Sequence, residues 1–312
     1  MRSKSVSQPL AKGLERSDPG FAAGLAELRR AKLERIAPLL RGDLASRLTH
    51  GKPDFLSEEL RQASRISPTS KVSANRYDKH ALALIEQCRD GLVLDCGAGR
   101  RDAYFANVVN LEIADYDTTD VLGVGEELPF KDASFEAVIS IAVLEHVRNP
   151  FRCADEIVRV LKPGGRLICC TPFLQPYHGY PSHYYNMSWQ GLRALFEDQL
   201  SIDDHQVTGS MGPIWSLTWM VQSWAEGLAP AVREQFLDLR LRDLIGSPRE
   251  HLDRDYVRGL SQAKAFELAS ATMLFATKPE DGQAPKAGLR LDHYRKGEKR
   301  GAPGWLKRLL GR

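Results

Sequence analysis

Several things are missing from this 312-residue sequence, and each absence removes a class of function. No apolar run approaches the ~18–20 residues that cross a bilayer as a helix. Residues 1–20 carry Arg2 and Lys4 but no apolar stretch behind them, so no secretory signal is expected. The five cysteines (Cys88, Cys96, Cys153, Cys169, Cys170) lack metal-type spacing and read as reduced core thiols of a cytoplasmic protein, with no metal site. Internal repeats are absent. A strong charge of one sign is absent too: the net charge is +3. Residues 282–312 hold nine Lys/Arg against Asp292 and Glu298, or +7, which leaves the rest at about −4 and gives no reason to expect nucleic acid as a partner.

What is present is a strand–helix alternation organised around Leu92-Val93-Leu94-Asp95-Cys96-Gly97-Ala98-Gly99. Leu92–Leu94 reads as a buried parallel strand. It runs into an acid and two glycines, and such a turn at a strand's carboxyl end, leading into a short helix, is where open α/β sheets bind nucleotides. Further strands are predicted at 108–113, 120–124, 137–141, 166–171, 201–208 and 272–277, with a helix from about Pro150 to Leu161 that Lys162-Pro163-Gly164-Gly165 stops and turns. The expected fold is α/β: a Rossmann-like, seven-stranded, mostly parallel sheet with helices on both faces.

The expected organisation is a disordered 1–20, a helical extension over 21–72, the main domain over 73–279 with a helical insertion at 211–265, and a basic flexible tail over 280–312. In the extension, a helix from Phe21 ends or kinks at Pro38, and Ser57 caps a short second helix. These helices read as an accessory layer or a lid. The tail ends in Trp305–Arg312, where basic and apolar residues alternate. That pattern suits weak contact with a membrane surface and is too short to anchor the chain.

The chain is similar to class I S-adenosylmethionine-dependent methyltransferases, and within them to the type 11 group that includes ubiquinone/menaquinone methyltransferases. The matching pieces, in order, are Val93–Gly99, Glu126-Glu127-Leu128-Pro129-Phe130, Val143-Leu144-Glu145-His146-Val147 and Arg159–Gly165. The resemblance covers about Tyr77 to Pro279 and implies S-adenosyl-L-methionine as cofactor. It implies that Gly97 and Gly99 admit the methionine portion and that Asp95 organises that loop or engages the ammonium. Glu112, with Asp115 as fallback, would grip both ribose hydroxyls, since a carboxylate accepts from both. Glu126 and Leu128 would lie along adenine, although Val124-Gly125 stands where the family usually has an aspartate. Ser140 and Ile141 would end a strand beneath the sulfonium. His146 reads as a helix-start residue.

On the acceptor side, the loop Pro172–Tyr185 offers Tyr177, His178, His183 and Tyr184. A neutral histidine suits proton removal from a hydroxyl. Tyr177, His178 and His183 are the catalytic candidates, equally readable as loop staples. Trp215, Trp219 and Trp224 read as core or as the wall of an apolar pocket. The implied activity is methyl transfer to a small-molecule, lipid or glycan acceptor at oxygen. Two alternatives are a non-catalytic binding protein and an NAD-dependent oxidoreductase. Against the latter, the dinucleotide fingerprint G-x-G-x-x-G meets Asp102 at its third glycine.

Overall fold

A computed structural model describes residues 13–66, 74, 76–179, 182–272 and 274. The chain divides into two compact units, one of Met1–Phe173 with Gly179–Gln206 and one of Leu174–His178 with Val207–Arg312. Among the described residues no helix is long and apolar enough to cross a membrane.

In the first unit the elements run β1 (Leu14–Glu15), α1 (Phe21–Ile36), β2 (Arg47–Thr49), β3 (Lys52–Asp54), α2 (Glu58–Ala63), α3 (Lys79–Gln87), β4 (Val93–Cys96), β5 (Ala103–Tyr104), β6 (Val108–Glu112), β7 (Val121–Leu122), β8 (Phe135–Ile141), α4 (Pro150–Val160), β9 (Leu161–Cys170) and α5 (Trp189–Ala194). Seven of the strands form one sheet in the order β2-β3-β7-β6-β4-β8-β9. Every pairing in it is parallel except the β2–β3 hairpin. Val93, Leu94, Val108, Val109, Ala137, Val138 and Ile139 are fully or almost fully buried, as continuous apolar runs in a helix-covered parallel sheet should be.

Alternate residues of each strand serve opposite faces. Val93, Val108, Ala137 and Ile139 pack with Ala81, Leu84 and Ile85 of α3. Leu94, Val109 and Val138 pack with Cys153, Ala154, Ile157 and Val160 of α4, and also with Ile36 and Leu33 of α1. Asp78 caps α3 by accepting from His80 and Ala81, and Asn149 caps α4 by accepting from Arg152.

Among the described residues the main sheet has seven strands, but not the seven predicted. Residues 201–208 form no strand, because only Ile202 reaches the core while Asp203 and Asp204 stay in water. The strand predicted at 272–277 falls mostly outside the described residues. The other edge of the sheet is extended instead by β2 and β3, from the supposed accessory segment. The short helix predicted after Gly99 is also absent. Only eleven residues, 97–107, join parallel neighbours β4 and β6, and they contain β5, which pairs with β1. A helical crossover normally needs a dozen residues or more. The predicted turn at Lys162–Gly165 persists as an irregularity inside β9: the register passes from Phe135–Leu161 directly to Ala137–Arg166.

The N-terminal helix α1 is therefore part of the domain. Its Lys32 is fully buried with the ammonium 2.8 Å from Asp120 and 3.5 Å above the Tyr104 ring. Asp120 also accepts from the Tyr104 hydroxyl and from the Asn110 amide. The predicted helix breaks are in place: α1 gives way to a tighter turn at Ala37–Leu39, and Ser57 caps α2 through Leu60.

The second unit carries α6 (Pro213–Glu226), α7 (Pro230–Leu237), α8 (Asp255–Arg258) and α9 (Gln262–Glu267). Its own small core is Ala225, Leu228 and Phe236, with Trp224 stacked on Phe236 at 5.7 Å.

Candidate functional site

The glycine turn follows β4. Gly97 has φ +77° and Gly99 φ +63°, backbone that side chains resist. A Cβ on Gly97 would stand 2.6 Å from Val143 Cγ2, so this turn is pressed against the segment that follows β8. The amides of Gly97 and Ala98 both donate to the Leu111 carbonyl. The Gly99 amide donates to Glu112 Oε2 at 2.7 Å, and the Ile113 amide donates to Oε1 at 2.8 Å. The carboxylate that ends β6 thus faces the glycine loop. Burial raises the pKa of Glu112, and those backbone donors work against the rise.

Asp95 is fully buried and already engaged. Arg101 donates to it twice, at 2.8 and 3.1 Å, and the Tyr77 hydroxyl donates to it as well. The Arg101 guanidinium lies 4.2 Å from the centre of the Tyr77 ring. This carboxylate ties the glycine loop down from below. Asp115, the fallback for Glu112, is held by Lys52 and His50 of the β2–β3 hairpin.

The segment after β7 explains its own departure from the family pattern. A Cβ at Gly125 would come within 2.5 Å of Cys153 Sγ, so α4 leaves no space for a side chain there. Glu126 Oε1 accepts from the Arg148 amide, and its carbonyl accepts from Arg152. Glu126 lines a surface cleft of about 590 Å³ with Leu60, Arg148, Phe151 and Tyr185. Leu128 is wholly buried in the core, its amide donating to Glu156. Ser140 is fully buried and Ile141 half-buried at the end of β8, followed by Ala142 at φ +56°.

The acceptor-side candidates fall in different units. Tyr177 and His178 belong to the second, where the Tyr177 amide donates to the Glu267 carbonyl and His178 lies 5.3 Å from the Trp219 ring. Burial lowers the pKa of His178. His183 and Tyr184 belong to the first, where His183 Nε2 is 2.8 Å from Asn186 Oδ1 and 5.7 Å separates the His183 and His146 rings. Asp95, Gly97, Gly99 and Glu112 share one strand-end cluster.

One residue was passed over in reading the sequence. Glu145 is fully buried, and among the described residues neither carboxyl oxygen has a hydrogen-bond partner. The nearest basic nitrogen, His146 Nε2, is 3.7 Å away. Burial pushes the Glu145 carboxyl up to about 8. The only hint in sequence is its place between apolar Leu144 and Val147.

Comparison with known proteins bears on this cluster directly. Residues 92–169 match the methyltransferase-domain family. An uncharacterized methyltransferase of Mycolicibacterium vanbaalenii is 40% identical over 70 residues, 21% of this chain and 28% of that protein. A probable S-adenosylmethionine-dependent methyltransferase of Mycolicibacterium smegmatis is 34% identical over 98 residues, 27% of this chain and 38% of that protein. The chain thus matches well under half the length of either relative. Among solved structures, YcgJ from Bacillus subtilis is 18% identical, covering 53% of this chain and 92% of its own, with a TM-score of 0.33. Residues 92–169 form a methyltransferase domain of the class I, S-adenosylmethionine-dependent type.

Proposed function

We propose that the whole chain transfers a methyl group from S-adenosyl-L-methionine to oxygen on a small-molecule, lipid or glycan acceptor. The observation that carries this reading is the pair of left-handed glycines after β4 with the Glu112 carboxylate turned onto the Gly99 amide. A side-chain-free turn beside a carboxylate suits a ligand with a charged amino-acid end and a vicinal diol. The residues that would hold it are Gly97, Gly99 and Glu112, with the Ser140–Ile141 carbonyls at the end of β8. Asp95 supports them through Arg101 rather than by contact. Glu126 reaches the adenine side through its backbone, and Leu128 supports that side from the core.

The cofactor supplies a methyl on a sulfonium, already strongly activated, so orientation provides most of the acceleration. This chain's part is to seat the acceptor and to take its proton where it is a hydroxyl. Tyr177, His178 and His183 remain acceptor-side candidates. An oxidoreductase reading is weaker. Asp102, at the third fingerprint position, brings a negative charge held by Arg16 and Arg76 where a pyrophosphate would need close backbone approach.

Calorimetry with S-adenosylhomocysteine and with NAD tests the proposal. Binding of the first alone supports it, and binding of neither or of NAD alone removes it. An acceptor screen read by homocysteine release then defines the acceptor.

A further inference from the structure

We infer that Glu145 is the group that receives the proton of a hydroxyl acceptor. This rests on the methyltransferase reading above.

A carboxyl group with no exposure and no hydrogen-bond donor on either oxygen is rare, since an unpaired buried polar group costs stability. Such a group asks for an explanation outside the folded chain itself. Its location supplies one. Glu145 lies two residues beyond Val143, which packs on Gly97 in the cofactor turn. From the other side, the Glu145 carbonyl accepts from the Tyr184 amide at 2.7 Å and the Tyr185 amide at 3.3 Å, fixing the loop after β9 against it. The carboxyl therefore stands at the carboxyl ends of β8 and β9, where open α/β sheets place their ligands. Three further buried hydroxyls nearby in the fold lack partners: Ser140, near the end of β8, Thr171, directly after β9, and Tyr184. Orphaned oxygens collected at one strand end fit a polar ligand group that completes them.

Burial keeps Glu145 protonated until mildly alkaline pH. The titratable groups that face it are His146, at 3.7 Å, and the thiols of Cys169 and Cys170, both raised chiefly by burial. That sets what it can deprotonate. A carboxylate that ionises near 8 takes a proton from a hydroxyl of tyrosine-like acidity (~10) about two pH units uphill. From an alcohol near water's acidity (~16) the climb is ~8 units. In the step, which the ionised form of Glu145 takes and which therefore strengthens as pH rises through about 8, the hydroxyl proton moves to a Glu145 oxygen, the hydroxyl oxygen bonds the methyl carbon, and the carbon–sulfur bond breaks toward S-adenosylhomocysteine.

The test uses the full chain, catechol as probe, and the variants Glu145→Gln and Glu145→Asp. S-adenosylhomocysteine should bind wild type and Glu145→Gln equally, within about twofold. In the S-adenosylhomocysteine complex, catechol should shift the infrared band of the protonated carboxyl that the Gln variant lacks. It should also bind Glu145→Gln at least tenfold more weakly. With labelled cofactor and catechol, homocysteine release should fall ~10²-fold or more in Glu145→Gln, the scale of losing a general base, and less in Glu145→Asp. Failure of wild type to bind S-adenosylhomocysteine would sink the underlying reading. Cofactor loss in Glu145→Gln alone would assign the residue to the cofactor and overturn this inference, as would catechol that fails to bind or binds both forms alike. Should Glu145→Gln not fold, the same band, assigned by its displacement in Glu145→Asp, decides.

Discussion

Gly97 shows how far one residue can be read from sequence. Two glycines one apart after a buried strand announce a turn that side chains cannot make, and φ +77° confirms that turn. What the sequence could not show is Val143 filling the space where a Cβ would go. Gly97→Ala should therefore cost ~2–4 kcal/mol, from left-handed strain together with overpacking. Adding Val143→Ala should recover the packing part only, which urea titration of the three proteins would measure. Glu145 marks the opposite case. An acid at a strand-to-helix turn normally reads as solvated, and only long-range packing by β9 and the Tyr184 loop buries it. Its linkage to stability has a definite sign. The folded state holds the proton until about 8, while the unfolded chain releases it near the ordinary 4.5. Between those values the native state binds more protons, so stability falls as pH rises. Glu145→Gln removes that dependence. The variant should gain on wild type by a few kcal/mol between pH ~5 and ~9, and equal urea midpoints at both ends would refute the burial of this carboxyl.

Elements were legible where pattern alone decides them. The apolar stretches of β4, β6 and β8 and the Ser57-capped start of α2 needed no tertiary information. The N-terminal segment was legible as helix but not as part of the domain. Lys32 looks like a solvent-facing residue of an amphipathic helix, yet its partner Asp120 lies 88 residues away. The missing crossover helix between β4 and β6 was hidden for the same reason, since pairing of β5 with β1 links 103–104 to 14–15. If α1 is an integral layer, its buried pair must matter. Lys32→Met leaves buried Asp120 with Arg29, at 3.5 Å, as its remaining cation, and should cost ~3 kcal/mol, the low end for breaking a buried pair. The double variant with Asp120→Asn should recover much of that loss. A detachable lid would instead tolerate Lys32→Met with no change in the denaturation midpoint.

At the scale of the whole molecule, the described residues form hydrophobic cores of very different size. The first unit buries an extended cluster on each face of a seven-stranded sheet, and the second centres on Ala225, Leu228 and Phe236. Apolar burial dominates stability, so the smaller core should open at lower denaturant. Unfolding should then show two transitions rather than one. With Trp189 of the first unit replaced by Phe, tryptophan fluorescence would follow the second unit through Trp215, Trp219 and Trp224, and far-ultraviolet circular dichroism would follow both. S-adenosylhomocysteine sharpens the test, because ligand binding stabilises only the unit that binds it. Gly97, Gly99 and Glu112 all lie in the first unit. At a hundredfold excess over its dissociation constant, the ligand should raise that unit's unfolding free energy by ~2.7 kcal/mol and leave the tryptophan transition in place. A single transition moved as a whole would mean that the two cores unfold as one. A ligand that moves neither would remove the glycine turn as its seat.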